Sequence, residues 1–273
     1  MGRTPAGGSE PAAGKYRPTM ADRPRNDDWW LASDGKWYPP ELAPGAEGAV
    51  DSGASGQADA TGISSALTNA VSILVGVASG LLLVAAFFGF RYATEIGALG
   101  DDAALVDRDP TTSEIAFVGW SFLAGVVVIV AAVTSLVWVY STSKAGDARG
   151  ATDRRWRGGW TIGSWLIPVA NLVLPKLVFN ELEKIFQVPF RGVPIEGEWR
   201  AEERTQLADL WWALWAASSL VSGASLFISP SDPLTGSAMS TAANVGAMSM
   251  LLNAASGVFF VMVVRRIYVF SNR

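Results

Sequence analysis

The chain alternates between long runs without charge and short stretches where its charges are gathered. Four runs reach the roughly 20 mostly apolar residues that a helix needs to cross a hydrocarbon core. They are Ala70 to Phe90, Ile115 to Tyr140, Leu210 to Ile228 and Ala238 to Val264. None contains Asp, Glu, Lys or Arg, each of which costs about 2.5–3.5 kcal/mol at the centre of an inserting helix. Core helices of a water-soluble protein are the competing explanation, and four uncharged runs of this length in one chain count against it. The pattern predicts an all-α membrane protein with four transmembrane helices, about 70–90, 115–140, 210–228 and 238–264, within a domain of residues 63–273.

A fifth apolar stretch, Gly158 to Pro175, is also uncharged but holds Pro168 and Pro175. Each proline removes a helical donor, so the carbonyls of Ser164 and Asn171 lose their usual partners. Beyond it, Leu174, Leu177, Val178, Leu182, Ile185 and Phe186 share one helical face, and Lys176, Asn180, Glu183, Lys184 and Gln187 the other. Residues 158–187 are therefore expected to be a proline-broken segment, re-entrant or interfacial, with a fifth span disfavoured.

The distribution of charge orients these elements. Tyr92 to Glu114 carries six acids and one base, Arg108, and is expected outside. Lys144, Arg149, Arg154, Arg155 and Arg157 follow the second run, and Arg265, Arg266 and Arg273 follow the last. The positive-inside rule places both clusters, and both termini, in the cytoplasm. A crossing by the proline segment would push the tail outside together with Lys184, Arg191, Arg200 and Arg204, so four crossings are preferred. The expected location is a bacterial plasma membrane.

Composition narrows the chemistry. The chain of 273 residues has a net charge of −4 and neither cysteine nor histidine. Thiolate and imidazole catalysis, disulfides and Cys/His metal sites are therefore excluded, and the acidity argues against nucleic acid as a partner. Residues 1–62 are rich in Gly, Pro, Ala, Ser and Asp and are expected to form a disordered cytoplasmic arm. The first long apolar stretch begins only after Thr61 and is expected to act as an uncleaved anchor. Within the arm, Asp28-Trp-Trp-Leu-Ala-Ser-Asp-Gly-Lys-Trp-Tyr-Pro-Pro contains Asp34-Gly35, a strong signal for a two-residue turn. Such a hairpin (28–40) would set Leu31 opposite Tyr38 and Ala32 opposite Trp37.

Gly159-Trp160-Thr-Ile-Gly-Ser-Trp165-Leu-Ile-Pro168-Val-Ala-Asn171-Leu172-Val-Leu-Pro175, with Glu181 following, resembles the motif of an actinobacterial membrane family, domain of unknown function 4328. With Trp211-Trp212-Ala-Leu-Trp215 and Val264-Arg265-Arg266, the resemblance spans about residues 66 to 268. It implies the architecture and no chemistry. Lys176 departs from the aromatic or polar residue expected after Pro175. The hairpin is similar to domain of unknown function 2510, a short Trp-rich module placed ahead of such membrane domains.

Several side chains invite a functional reading. Asn171, between two prolines, would contact a ligand at a helix break or satisfy backbone groups freed by the prolines. Trp160, Trp165, Trp211, Trp212 and Trp215 suit an aromatic belt or a stacking platform. Gly76 and Gly80, four apart, and Ala243, Gly246 and Ala247 would allow close helix approach. Asn244 and Asn253 would line a pore or bond a neighbouring helix. Glu181, Glu183, Glu196, Glu198, Glu202 and Glu203 alternate with bases and read as a solvated face. The expected function is a non-enzymatic scaffold or partner-binding membrane module needing no cofactor, with the lipid bilayer around it and Trp29, Trp30, Trp37 and Tyr38 presented to a protein partner. The alternative is a small-molecule or lipid transporter or binding protein using the Pro168-Asn171-Pro175 break. It requires a polar cavity between the spans that reaches Asn171, with Trp165 nearby.

Overall fold

The computed structural model describes residues 29–31, 34–38, 61–100, 108–151, 153–225 and 235–273. It divides into two units, Met1–Ala58 and Asp59–Arg273. Apart from the hairpin and the pair Thr61-Gly62, the arm expected to be disordered lies outside the described residues.

In the first unit, β1 (Trp30–Leu31) and β2 (Trp37–Tyr38) pair antiparallel, with Trp30 opposite Tyr38 and Leu31 opposite Trp37. The hairpin is as expected, but its register is shifted by one residue. A two-residue type I′ turn needs positive φ at both central positions; Gly35 has φ 75°, whereas Asp34 stays at negative φ. Asp34 acts through its side chain instead. Its Oδ1 accepts from the Lys36 N–H at 3.1 Å, and its Oδ2 from the Tyr38 hydroxyl at 2.8 Å. Trp29 is buried, Trp37 and Tyr38 are half-buried, and Leu31 is exposed.

Among the described residues, the regular elements of the second unit are all helical. α1 (Ser65–Gly97), α2 (Thr112–Ala148), α3 (Trp160–Leu166), α4 (Pro168–Asn171), α5 (Leu174–Gln187), α6 (Leu207–Ser225) and α7 (Gly236–Ser271) follow in order, with one 3₁₀ turn at Glu198–Ala201. Each of the three longest starts where a hydroxyl takes up a first-turn N–H, from Ser64, Thr111 and Thr235. They have 33, 37 and 36 residues. At 1.5 Å per residue they measure roughly 50 Å or more, beyond the ~30 Å hydrocarbon core.

These three helices are long and apolar enough to cross a membrane, as in a multi-pass membrane protein. α6, the expected third span, does not join them. It is 19 residues long and carries Asp209, three tryptophans and four serines, which lower its mean hydropathy. Residues 226–228 of that expected span lie outside the described residues.

α1 and α7 form the central pair, α2 flanks α1, and α6 runs antiparallel to α7. Large apolar side chains such as Ile73, Phe87, Phe122 and Ile129 are well exposed on the outer faces, as when lipid is the solvent. The close approaches occur where α1 turns inward. A Cβ at Gly89 would lie 2.9 Å from the Phe117 ring and 3.0 Å from the Ala247 Cβ, and one at Gly257 would strike the Ser79 hydroxyl. Ala243 and Ala247 are buried as expected, but Gly76 and Gly80 are not contact points: a Cβ at either would meet nothing within 4 Å. They sit one position off the buried stripe Val71, Val75, Ala78, Ser79, Ala85, Ala86, Gly89.

The two ends of the bundle are tied differently. At one end the Ser240 hydroxyl donates to the Ala93 carbonyl at 2.8 Å, and Gly236 abuts the carbonyls of Ile96 and Gly100. At the other, Arg149 is buried at 3% exposure just past α2. Its Nε donates to the Thr61 carbonyl at 2.9 Å and its Nη2 to the Ser271 carbonyl at 2.7 Å, while the guanidinium lies 4.5 Å from the Phe186 ring centroid. Burial pushes its pKa down to about 10. The start of α1, the end of α2 and the end of α7 thus meet at one end.

Gly89→Val should lower the unfolding temperature of the detergent-solubilised protein, because overpacking costs about 1–3 kcal/mol. Gly80→Ala, in open space, should leave it unchanged or raise it, since alanine favours a helix over glycine by about 1 kcal/mol.

Candidate functional site

The proline motif becomes three short helices with two breaks. Ile167 is held extended, at φ −92° and ψ 114°, because the residue before a proline is pushed out of the helical region. Pro168 and Pro175 then open α4 and α5, where a missing N–H costs nothing. The Leu172 carbonyl at the second break accepts from the Trp212 indole at 2.6 Å. Lys176, the departure from the family pattern, docks the start of α5 on α6: its ammonium lies 2.8 Å from Asp209 and 4.5 Å from the centroid of the Trp212 ring.

The polar face of α5 is partly solvated, at Lys176, Asn180, Lys184 and Gln187, and closed at Glu183. Val178, Phe179, Leu182, Ile185 and Phe186 are all fully buried, and Glu183, read from the sequence as solvated, is 1% exposed. Its carboxylate accepts from Thr205 Oγ1 at 2.7 Å and Arg266 Nε at 3.0 Å, so at Glu183 that side of α5 is covered by the approach to α6 and by α7. The helix packs against α2, α6 and α7 at the end of the bundle where Arg149 lies.

Glu181 clamps the loop before α3. Its two oxygens accept from the N–H groups of Arg155 and Trp156, each at 3.2 Å, and Arg154 Nε lies at 3.7 Å. Burial raises the Glu181 carboxyl above its ordinary value, opposed by these donors and by Arg154. Burial lowers the Arg154 guanidinium, opposed by Asp147 and Glu181. Arg154 also donates to the Ser143 carbonyl at 3.0 Å, so the pair fixes the loop to the last turns of α2. Gly159 caps α3 without a side chain, and Trp160 sits half out of the protein, edge-on to Trp156 at 5.9 Å.

Above this platform lies a cleft of about 300 Å³. Ala131, Ala132, Ser135 and Leu136 of α2 form one wall, and Trp211 and Trp215 of α6 the other. Val75 and Ser79 of α1 with Asn253, Ser256 and Phe260 of α7 form the back, and Trp165 and Leu166 of α3 close one end. A chain of aromatic rings underlies it: Trp165 to Trp211 at 6.2 Å, Trp211 to Phe260 at 5.2 Å, Phe260 to Phe179 at 5.4 Å, Phe179 to Trp138 at 6.2 Å. Trp138 is anchored in turn by its indole N–H on Thr68 Oγ1 at 2.9 Å.

Two of the lining residues, Trp165 and Ser135, have an indole nitrogen and a hydroxyl that are buried in the surrounding packing without a hydrogen-bond partner. Such a group costs about 1–3 kcal/mol. Asn253 also faces the cleft, while Asn244 is on an exposed face of α7.

Of the residues singled out in the sequence, the structure brings Trp165, Trp211, Trp215 and Asn253 together in the cleft. Asn171 is elsewhere. It does not line the cleft, and its Oδ1 is buried and unpartnered. The serines Ser79, Ser135 and Ser256 were not legible as site residues, because serine is common in such helices and only the packing decides which way it points.

Glu183→Ala should destabilise the protein by roughly 2–3 kcal/mol in denaturant unfolding. That is below the roughly 3–5 kcal/mol of a fully buried pair, since the Arg266 side chain keeps 36% exposure. Arg91→Ala should cost under about 1 kcal/mol, because its i,i+4 pair with Glu95 is on the surface, with the Arg91 side chain 62% exposed.

No curated protein and no solved structure matches the chain significantly. The sequence model of the domain of unknown function DUF4328 matches residues 101–269, starting after α1 and later than the position near 66 expected from the motif. That match takes in more than half of the 273 residues and includes the proline motif, the Trp-rich α6 and α7. The chain belongs to the DUF4328 family.

Proposed function

We propose that this protein is a non-enzymatic binding or transfer protein for a membrane-dissolved amphipathic molecule, held in the cleft between α2 and α6. The observation that carries this reading is an apolar cavity walled by alanines and by the rings of Trp165, Trp211 and Trp215, with Asn253 among its lining residues. Its size is at the lower end of the roughly 300–1,000 Å³ of small-molecule sites. The ligand class follows from the lining: a hydrocarbon chain for the alanines and aromatic rings, bearing an oxygen acceptor such as an ester or carboxyl for the Asn253 amide. The site is the cleft and not the Asn171 break.

This reading takes α6 as a fourth crossing. α6 starts beside α5, at the end where α7 finishes, and α7 starts at the opposite end beside Ile96 and Gly100, so the chain between them must travel the length of the bundle. We place the basic end, with both termini, at the cytoplasmic face of a bacterial, by resemblance actinobacterial, plasma membrane. A second reading is favoured by the folded hairpin with Leu31 54% exposed. In it the Trp module resembling domain of unknown function 2510 docks a protein partner, and the membrane domain serves as its scaffold.

Photo-crosslinking of the reconstituted protein with a diazirine-bearing acyl ester tests the first reading. Adducts should concentrate on Trp165, Leu166 and Trp215 and fall about ten-fold in Ala132→Trp, which fills the cleft. Adducts spread evenly over exposed positions such as Phe87 and Phe122, and insensitive to that substitution, would refute it.

A further inference from the structure

The opposite side of α7 carries a feature of another kind. Met262, Arg265, Arg266, Val269, Phe270 and Arg273 line, with Leu207 of α6, a depression of about 380 Å³. At 3.6 residues per turn this stripe is centred roughly 140° around the helix from Asn253, Ser256 and Phe260, and none of its residues lines the cleft.

Its charges are unevenly spent. Arg266 is paired with Glu183 at 3.0 Å. Arg273 has its guanidinium 4.9 Å from the Phe270 ring, and Arg265 is exposed; neither has an ion-pair partner among the described residues. Three guanidinium groups face one acidic side chain, Glu183, so Arg265 and Arg273 are left without a side-chain counter-charge among the described residues. Guanidinium groups match phosphate oxygens in a planar fork.

The order along the helix adds a second constraint. Toward the middle of α7 the same stripe is apolar and open, with Val258 56% and Met262 45% exposed, and the arginines follow only toward its end. An apolar track leading into a cationic pocket is the order of a phospholipid, chains first and phosphate last. A free phosphate would have no use for the track.

We propose that this face of α7 binds the headgroup phosphate of an anionic phospholipid through Arg265 and Arg273, with its chains along Val258 and Met262. Arg266, held by Glu183, is the fixed edge of the pocket and keeps α5 beside it.

Native mass spectrometry of the full-length protein in detergent, offered equal amounts of phosphatidylglycerol and phosphatidylcholine, reads this directly. The wild type should retain phosphatidylglycerol preferentially, and Arg265→Gln/Arg273→Gln should lose roughly thirty-fold in apparent affinity, given the usual contribution of a basic residue at an anionic surface. Arg265→Glu alters one exposed side chain and should show a loss in the same direction even if the double variant proves unstable. Equal retention by wild type and Arg265→Glu would overturn the proposal. So would displacement of phosphatidylglycerol by millimolar inorganic phosphate, which would assign the pocket to the free ion.

Discussion

The structure depends on the demand that every backbone N–H and C=O withdrawn from water finds a partner inside the protein. The long helices meet it through their own hydrogen bonds. What remains is their ends and the proline-broken segment, and there the chain uses side chains as donors. Arg149 takes the Ser271 and Thr61 carbonyls, Arg154 those of Ser143 and Trp156, and Trp212 that of Leu172. The same residues that mark one end as basic are thus the clasps that close it. Cations are also favoured at helix C-termini, where the carbonyls present partial negative charge.

That solution shapes the cleft. Because α3, α4 and α5 must be buried against protein, they occupy the end of the bundle, held by Glu181, Glu183 and Lys176. Trp165 is carried with them to a point between α2 and α6, where it meets Trp211 and Trp215. A wedge of indole rings there closes one end of the space between the flanking helices, and the space above it becomes the cavity.

Much of this was written in the pattern of the chain. The uncharged runs located the three long apolar helices, the two prolines the breaks at Ile167 and Val173, and Asp34-Gly35 the hairpin. The failures have physical causes. Asp209, the tryptophans and the serines lower the hydropathy of α6, so the run expected as the third span does not join the three long apolar helices. Glu183 sits among charged neighbours in sequence, and periodicity alone assigned it to water, but Thr205 and Arg266 arrive from 22 and 83 residues away to hold it.

Determined by the sequence alone were the class of solvent around the helices, the breaks between them, and the family, because charge-free length and proline chemistry act locally. Tertiary structure alone decided which small residues touch, since Gly89 and Gly257 rather than Gly76 and Gly80 face a neighbour. It also decided which polar atoms stay unpartnered and where the indoles converge. Those outcomes depend on the rotation of each helix about its own axis, a quantity set by packing against all of its neighbours at once.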